Sequence, residues 1–525
     1  MFDKNKKIAA RIESLWQRPE DKYRNFELIS KYHNIKKETA KGHTVDANTW
    51  QNLNFASLFE KMDYNLSCFG QQFMYHKLNS YETDKEILEK SFSNFGLFIN
   101  DRKLRIETLK ALFRLRGVNA YGLANLIFEK LPPKPRYYPL FYFLSAISLT
   151  SMLLMFFYGV FFFVFIAAGV INIIVNWQYS SRIYSYFTEL AGLNSLLGAA
   201  VNLAAIKTGR PVEQFEVLKK HSKICRQIRK KIGWLIIDKT RLNDLIIAYV
   251  EYMNQFFLFE LITFIRSIGK LNAHKEELIQ VFEAAASIDY EIAAAAFLSN
   301  QKHFCLAEIN KNNEFVLEEI FHPVLTSPVS NNFRIKDKSV LITGSNMAGK
   351  TTFIKTIGVN MILARTIGAA LAKKASFPNC ETLASINISD DITEGKSFYF
   401  AQIEEILRYI NKIKSGGCYV FLIDEIFRGT NTAERISASK AVLDFLSSNS
   451  LLMVTTHDLE LEEMLNGNFE MYNFSEQFEN NRVFFNYKIN KGKCTGRNAI
   501  KLLELTGYPS VIIKNAMEEY SKLSI

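Results

Sequence analysis

Val340-Leu341-Ile342-Thr343-Gly344-Ser345-Asn346-Met347-Ala348-Gly349-Lys350-Thr351-Thr352 runs from an apolar stretch through a glycine-bounded loop into a helical pattern. The loop fits G-x-x-x-x-G-K-[ST]. In that pattern glycines let backbone N–H groups turn inward around phosphates, a lysine reaches the β- and γ-phosphates, and a hydroxyl takes a place on Mg²⁺. The implied ligand is a nucleoside triphosphate, ATP with Mg²⁺, held by Gly344, Ser345, Asn346, Met347, Ala348, Gly349, Lys350, Thr351 and Thr352. A chance match to so short a pattern is the bland alternative; a strand before it and a helix after it count against that.

Roughly 70 residues further on, Cys418-Tyr419-Val420-Phe421-Leu422-Ile423-Asp424-Glu425 reads as a buried parallel strand ending in two carboxylates. Asp424 is placed to hold Mg²⁺ through water, and Glu425 to orient or deprotonate the attacking water. A further strand, Leu451-Leu452-Met453-Val454-Thr455-Thr456, ends in His457-Asp458, where an imidazole could sense the γ-phosphate. Alone, a strand-end histidine is more simply a capping residue. Three strand-end motifs in this order favour the catalytic reading, with Lys350, Glu425 and His457 as the catalytic set and Thr351 and Asp424 on the metal.

The residues between these motifs narrow the class. No Leu-Ser-Gly-Gly-Gln occurs, which disfavours an ordinary ABC transporter ATPase. Instead the chain carries Asp390-Asp391-Ile392-Thr393-Glu394-Gly395-Lys396-Ser397-Phe398-Tyr399-Phe400-Ala401-Gln402-Ile403-Glu404 and then Asp424-Glu425-Ile426-Phe427-Arg428-Gly429-Thr430-Asn431. These segments resemble the MutS family of DNA mismatch-repair ATPases, whose motifs read G-P-N-M-G-G-K-[ST]-T, S-x-F-x-x-E and D-E-[IL]-x-[RK]-G-T. Ser345 stands where that family has Pro, and Ala348 replaces the first of two glycines; neither change removes a donor or a metal ligand. Upstream, Ile320-Phe321-His322-Pro323-Val324-Leu325 is similar to the family's R-H-P-[VL] segment, with Phe321 where Arg is common. Downstream, Thr495-Gly496-Arg497-Asn498-Ala499-Ile500 and Leu505-Thr506-Gly507-Tyr508-Pro509-Ser510-Val511-Ile512 resemble its C-terminal helix-turn-helix, which helps form the dimer. A looser likeness begins at Asn54-Phe55-Ala56-Ser57-Leu58-Phe59-Glu60-Lys61-Met62-Asp63.

The resemblance implies a homodimer in which each nucleotide site is completed by the neighbouring subunit. Ser397 would then contact the partner's γ-phosphate and Asn431 would lie near the shared interface; the plain alternative for Ser397 is a helix N-cap. It also implies what the chain lacks. The residues before 48 leave no room for mismatch-reading and connector domains, and no Phe-x-Glu wedge occurs there, so the expectation is a MutS relative that does not read mismatches in the usual way.

A second feature sets the chain apart. No charged residue occurs between Arg136 and Arg182, and Tyr137–Trp177 is a nearly continuous apolar tract. It is roughly 40 residues long, where one spanning helix needs about 20, so two transmembrane helices are expected, with a turn near Tyr158-Gly159. Tyr137, Tyr138, Trp177 and Tyr179 suit the water interface, and Lys134, Arg136 and Arg182 put both flanks on the cytoplasmic side. The expected location is the cell (inner) membrane, as a multi-pass hairpin with the ATPase in the cytoplasm. A buried helix pair in a soluble protein is the alternative; the internal position excludes a cleaved signal peptide.

Composition agrees with several domains and an ample core, at 525 residues and 48% hydrophobic. Six cysteines without C-x-x-C spacing indicate neither a disulfide framework nor a zinc site, and point to a reducing compartment. The net charge of +11 implies an anionic partner, nucleic acid or the inner leaflet. Within Lys219–Lys231, Lys219, Lys223, Arg226 and Lys230 form one stripe at helical spacing. That stripe suits DNA phosphates, anionic lipid or plain solvent.

The fold expected is α plus α/β. A basic helical arm (1–47) precedes a helical core and lever (48–136 and 178–318) that the hairpin (137–177) interrupts. An ABC-like P-loop ATPase with a mostly parallel sheet (319–493) and a helix-turn-helix (494–525) follow. Two functions follow from the same residues: a membrane-tethered ATPase that binds mismatched, branched or otherwise irregular DNA in an ATP-dependent manner, or a membrane mechanochemical or scaffold ATPase acting on protein or lipid without DNA. Transport is disfavoured, since one hairpin per subunit gives few helices for a pathway.

Overall fold

A computed structural model describes residues 11–39, 44–129, 136–232, 252–345, 347–386, 398–465, 467–479, 482–494, 500, 503 and 507–523. The chain divides into two compact units, one of Met1–Lys41, Met62–Lys77 and Ser93–Phe297, the other of Gly42–Lys61, Leu78–Phe92 and Leu298–Ile525. The helical stretch expected at 48–136 is therefore shared between them. The reason is local: the short helix Ala47–Asn52 is hydrogen-bonded to a strand of the second unit, where Ala384 N donates to Thr49 Oγ1 (3.1 Å) and Asn52 Nδ2 donates to Ala384 O (3.0 Å).

The first unit is helical. Its apolar tract forms two helices, Tyr138–Leu154, with a proline in its first turn, and Val160–Leu203. The second is 44 residues long, about 66 Å at 1.5 Å per residue. It runs well past the expected end at Trp177: no proline intervenes, and Gly192 and Gly198 are accommodated within the helix. Its two ends differ sharply: Phe163 and Trp177 are 74% and 79% exposed, whereas Leu190, Leu197 and Leu203 are fully buried. Among the described residues one helical stretch, Val160–Tyr179, is long and apolar enough to cross a membrane; Tyr138–Leu154 is shorter.

Inside the hairpin Asn172 is buried and donates through Nδ2 to Ser148 Oγ (2.8 Å) and Phe256 O (2.6 Å). Phe256 also stacks on Phe165 at 5.6 Å between centroids. A third apolar segment thus packs on the hairpin, which the charge-free tract did not reveal. It continues, after Leu258 in the left-handed region (φ 55°), as the helix Phe259–Ala273. The long helix Lys275–Ser299 follows, and its Asp289 accepts from the backbone N–H groups of Leu66 (3.0 Å) and Ser67 (2.8 Å). Burial pushes the Asp289 carboxyl up to about 6 despite those bonds.

The second unit is built on a six-stranded sheet. In chain order its strands are β5 (Ser339–Thr343), β8 (Glu381–Ser385), β9 (Tyr419–Asp424), β10 (Leu451–Thr455), β11 (Phe469–Asn473) and β14 (Asn490–Lys491), arranged β14-β11-β5-β10-β9-β8. All neighbours pair in parallel except the edge strand β14. β5 is buried throughout and β9 up to Ile423, as the apolar runs of a two-sided parallel sheet require. A second, four-stranded sheet is ordered β2-β7-β3-β4, from Glu308–Asn310, Lys374–Pro378, Glu314–Ile320 and Asn331–Lys336, and two antiparallel pairs join β1 (Cys305–Leu306) to β6 (Ala369–Ala370) and β12 (Glu476–Glu479) to β13 (Arg482–Phe485). The mixed α and α/β class expected from the pattern is what these elements form.

One expectation is corrected. Cys380 and Cys418 form a disulfide, although scattered cysteines indicated none. They immediately precede β8 and β9, which pair side by side, so a sequence separation of 38 hides a spatial adjacency. At the C-terminus Ser510–Leu523 is a helix; most of the segment expected to complete a helix-turn-helix, including 495–499, lies outside the described residues.

Candidate nucleotide site

The phosphate loop joins β5 to the helix Lys350–Thr366. Gly344 and Gly349 take φ of 135° and 105°, which side chains rarely adopt, and a Cβ at Gly344 would stand 2.3 Å from the Phe474 carbonyl oxygen. Lys350 donates from Nζ to the Ser345 carbonyl (2.9 Å) and to that of Gly344, so the ammonium sits over the loop's own backbone. Burial holds the Lys350 ammonium below its usual range, opposed by the nearby Glu425 and Asp424 carboxylates. Met347 is 74% exposed and Ala348 is buried. Thr352 is exposed on the helix. Asn346 lies outside the described residues.

The sheet order brings the other motifs to this loop. β10 lies between β5 and β9, and Thr455 pairs with Asp424 in register. Asp424 accepts from Thr351 Oγ1 at Oδ2 (2.9 Å) and from Thr455 Oγ1 at Oδ1. Both carboxylate oxygens are thus aimed by hydroxyls on neighbouring elements. Glu425 follows with φ of 51°, an uncommon conformation for a side-chain-bearing residue, and Phe427 has φ of 58°. Two bonds fix Glu425: its N–H donates to Thr455 O (3.0 Å), and its carbonyl accepts from Nε2 of buried Gln402 (3.1 Å).

The Glu425 carboxylate faces an imidazole and a guanidinium. Oε1 is 3.2 Å from His457 Nδ1, and Oε2 is 3.3 Å from Arg428 Nη1. The hydrogen bond from His457 is the main cause holding Glu425 below the usual carboxylate range, and the same bond raises His457 above an ordinary imidazole. Next to it Arg435 makes a bidentate pair with Asp458 (3.0 and 2.6 Å). Ser345, Glu425, Arg428, Arg435 and His457 line a cleft of about 410 Å³. Ser345 Oγ is buried at its edge and has no hydrogen-bond partner among the described residues.

Hard oxygen donors at Thr351 and Asp424 suit Mg²⁺, which is bound by one or two protein oxygens together with phosphate and water. Among the described residues no cluster of three His, Cys, Asp or Glu could hold a metal ion alone. The donor set therefore fits an ion that arrives with a nucleotide.

The other named residues stand as follows. Asn431 caps the helix Thr432–Ser447, accepting from Ala433 N (3.0 Å), and is exposed. Ser397 lies outside the described residues. Lys219, Lys223, Arg226 and Lys230 lie in the helical unit, exposed along the helix Glu213–Ile232, whose opposite face buries Phe215, Leu218, Cys225 and Ile228. Lys219 Nζ is 3.8 Å from Glu216. Motif reading missed Thr455, Gln402, Arg428 and Arg435. Thr455, Gln402 and Arg428 were in quoted motifs without a role; Arg435 carries no local signal.

A strand, a glycine loop and a helix, with a carboxylate at the end of a nearby parallel strand, define a P-loop nucleotide-binding domain. Residues 340–524 match the family model of MutS domain V. The chain is 26% identical to the DNA mismatch repair protein MutS of Clostridium botulinum (strain Okra / Type B1) over 358 residues, 64% of this chain and 35% of that protein. It is 29% identical to the MutS of Leptospira interrogans over 271 residues, 49% of this chain and 32% of that protein. Over residues 340–524 the chain carries a MutS-type domain V, and the matches to these relatives span about a third of their length.

Proposed function

We propose that this chain is a membrane-anchored, MutS-type ATPase that works as a homodimer and binds DNA in an ATP-dependent manner. The observation that carries the hydrolytic part is the convergence of Thr351 and Asp424, 2.9 Å apart, with the Glu425–His457 pair beside the phosphate loop. Mg²⁺ bound with the nucleotide supplies charge neutralisation at the phosphates. Lys350 leaves the loop carbonyls to meet the β- and γ-phosphates, and Thr351 and Asp424 hold the metal. Glu425 orients or deprotonates the attacking water, while His457 links that carboxylate to the γ-phosphate position. Ser397 and Asn431 serve the site of the neighbouring subunit.

Membrane anchoring rests on the exposed apolar surface of the hairpin, Phe143, Phe156, Phe157, Phe163 and Trp177 each being 62% exposed or more. Contiguous apolar exposure of that size suits lipid better than water. The cationic flanks support a cytoplasmic ATPase at the inner membrane. DNA is supported by the mismatch-repair names of the relatives and by the exposed stripe Lys219, Lys223, Arg226 and Lys230.

Three measurements on the full chain test the parts separately. Glu425→Gln should keep ATP binding and lose turnover by about 10²–10⁴-fold; unchanged hydrolysis refutes the catalytic assignment. The chain should resist carbonate extraction from membranes, and release into the soluble fraction refutes the anchor. Detergent-purified protein should bind mismatched or branched duplex at low salt, with affinity that changes on adding ATP. Absence of binding to any duplex leaves the mechanochemical reading, in which the same ATPase rearranges a protein or lipid partner.

A further inference from the structure

The helical unit contains a cavity of about 470 Å³ between the C-terminal turn of the basic helix Glu213–Ile232 and the helix Phe259–Ala273. One end is apolar, from Ile232, Phe259 and Ile262; the other is cationic, from Lys230, Arg266 and Lys270. Phe259, Ile262, Arg266 and Lys270 follow at intervals of three and four residues, so they lie along one helix face in order from apolar to charged. Arg266 is about 10 Å further along the axis than Phe259. None of the three cations is in an ion pair among the described residues, and Lys230 and Arg266 are exposed.

The height of the cavity along the hairpin is set by its neighbours. Just before this helix, Phe256 packs against Phe165 and accepts from Asn172, inside the apolar span. Phe264, further along, meets Tyr186 at 5.6 Å, beyond the interfacial Trp177. The helix therefore begins at the level of the apolar zone and leaves it. Its cationic end falls where the headgroups of a bilayer around the hairpin would lie, on the side the positive flanks mark as cytoplasmic.

We propose that this cavity binds an anionic phospholipid, its phosphate between Lys230, Arg266 and Lys270 and the start of an acyl chain against Phe259 and Ile262. The proposal rests on the membrane-anchored reading. It differs from a general attraction of basic residues to the leaflet, because a cavity with an apolar wall holds one lipid where a flat stripe holds none in particular.

Full-length protein in detergent is mixed with phosphatidylglycerol and phosphatidylcholine, and the lipid retained is counted by native mass spectrometry. Wild type should retain phosphatidylglycerol preferentially. The Arg266→Gln, Lys270→Gln double variant should lose that preference on the order of tenfold, with ATP turnover in detergent unchanged, and Arg266→Lys should keep it. Equal retention of the two lipids, or an unchanged preference in the double variant, overturns the proposal. So does displacement of phosphatidylglycerol by duplex DNA, which would assign these cations to nucleic acid, or by soluble glycerol phosphate, which would leave the apolar wall without a role. As a check independent of variants, phosphatidylglycerol should raise the unfolding midpoint of wild type more than phosphatidylcholine does; equal shifts count against the site. Carbonate extraction distinguishes the two failures: a chain that stays in the membrane without lipid preference loses only the cavity assignment, whereas one that is extracted loses the anchor as well.

Discussion

His457 Nδ1 lies 3.2 Å from Glu425 Oε1, across the ends of the adjacent parallel strands β9 and β10. The two residues shift each other in opposite directions, the carboxyl down and the imidazole up. The raised histidine contributes stability that is full below the ordinary imidazole value, about 6.5, and is lost as pH rises through its folded value. The lowered glutamate contributes stability present above its ordinary value, about 4.3, and lost as pH falls through its folded value. The pair is therefore strongest between Glu425's depressed value and His457's raised one. With the His457 side chain 44% exposed, solvent screening keeps its effect on folding below about 1 kcal/mol. An NMR titration of the His457 ring should show a raised value in wild type that returns toward about 6.5 in Glu425→Gln. An identical curve in both would mean that the pair does not form in solution.

Thr455 is one of the residues whose role the motifs did not disclose. Its hydroxyl donates to Asp424 Oδ1 while Thr351 holds Oδ2, so the carboxylate proposed to face the metal is aimed from both flanks. Thr455→Val keeps the volume and removes the donor. A buried hydrogen bond to a charged group contributes about 1.5–3 kcal/mol, so a loss of folding stability near the low end is expected. The Mg²⁺ concentration that half-saturates ATP turnover should rise several-fold, on the order of tenfold for about 1.4 kcal/mol, and Thr455→Ser should largely restore it. Turnover with unaltered Mg²⁺ dependence in Thr455→Val would show that Asp424 is held by Thr351 alone.

Gly344 cannot carry a side chain for two separate reasons. Its φ is 135°, and a Cβ would come within 2.3 Å of the Phe474 carbonyl oxygen, a backbone atom that cannot rotate away. Gly344→Ala should lower stability by at least about 1–3 kcal/mol, from strain alone. It should also abolish ATP binding measured calorimetrically, because the loop that presents its N–H groups must open to relieve the contact. Retained affinity would mean that the loop adopts another path when nucleotide is bound.

Much of the nucleotide domain was legible because its signals are local. A five-residue apolar strand, a glycine loop and a helix are contiguous, and β9 announces itself as an unbroken apolar run ending in Asp424. What was not legible depends on contacts between distant residues. Gln402 reaches Glu425's carbonyl, Cys380 meets Cys418 through strand pairing, and Thr49 joins β8 from more than 300 residues away. The hairpin shows the same division. Absence of charge marked its helices, but nothing in that tract showed that Val160–Leu203 continues as one helix into a buried end, or that Phe256 docks on Asn172.

That last contact gives a test within the hairpin itself. Asn172 donates to Ser148 Oγ and Phe256 O, yet its own Oδ1 is buried and has no partner among the described residues. Asn172→Val therefore removes two bonds and one unsatisfied acceptor with only a small change in volume. For a hairpin that spans the membrane as proposed, interhelical side-chain bonds average about 0.6 kcal/mol and reach about 1.7, whereas relief of a buried orphan acceptor returns roughly 1 kcal/mol or more. The two effects nearly cancel, so the unfolding midpoint in detergent should move little. Asn172→Ala adds a cavity beside Phe256 and Ser148 and should destabilise by roughly a further 1–2 kcal/mol. Equal, large losses in both variants would instead assign the stability of the hairpin to the hydrogen bonds themselves.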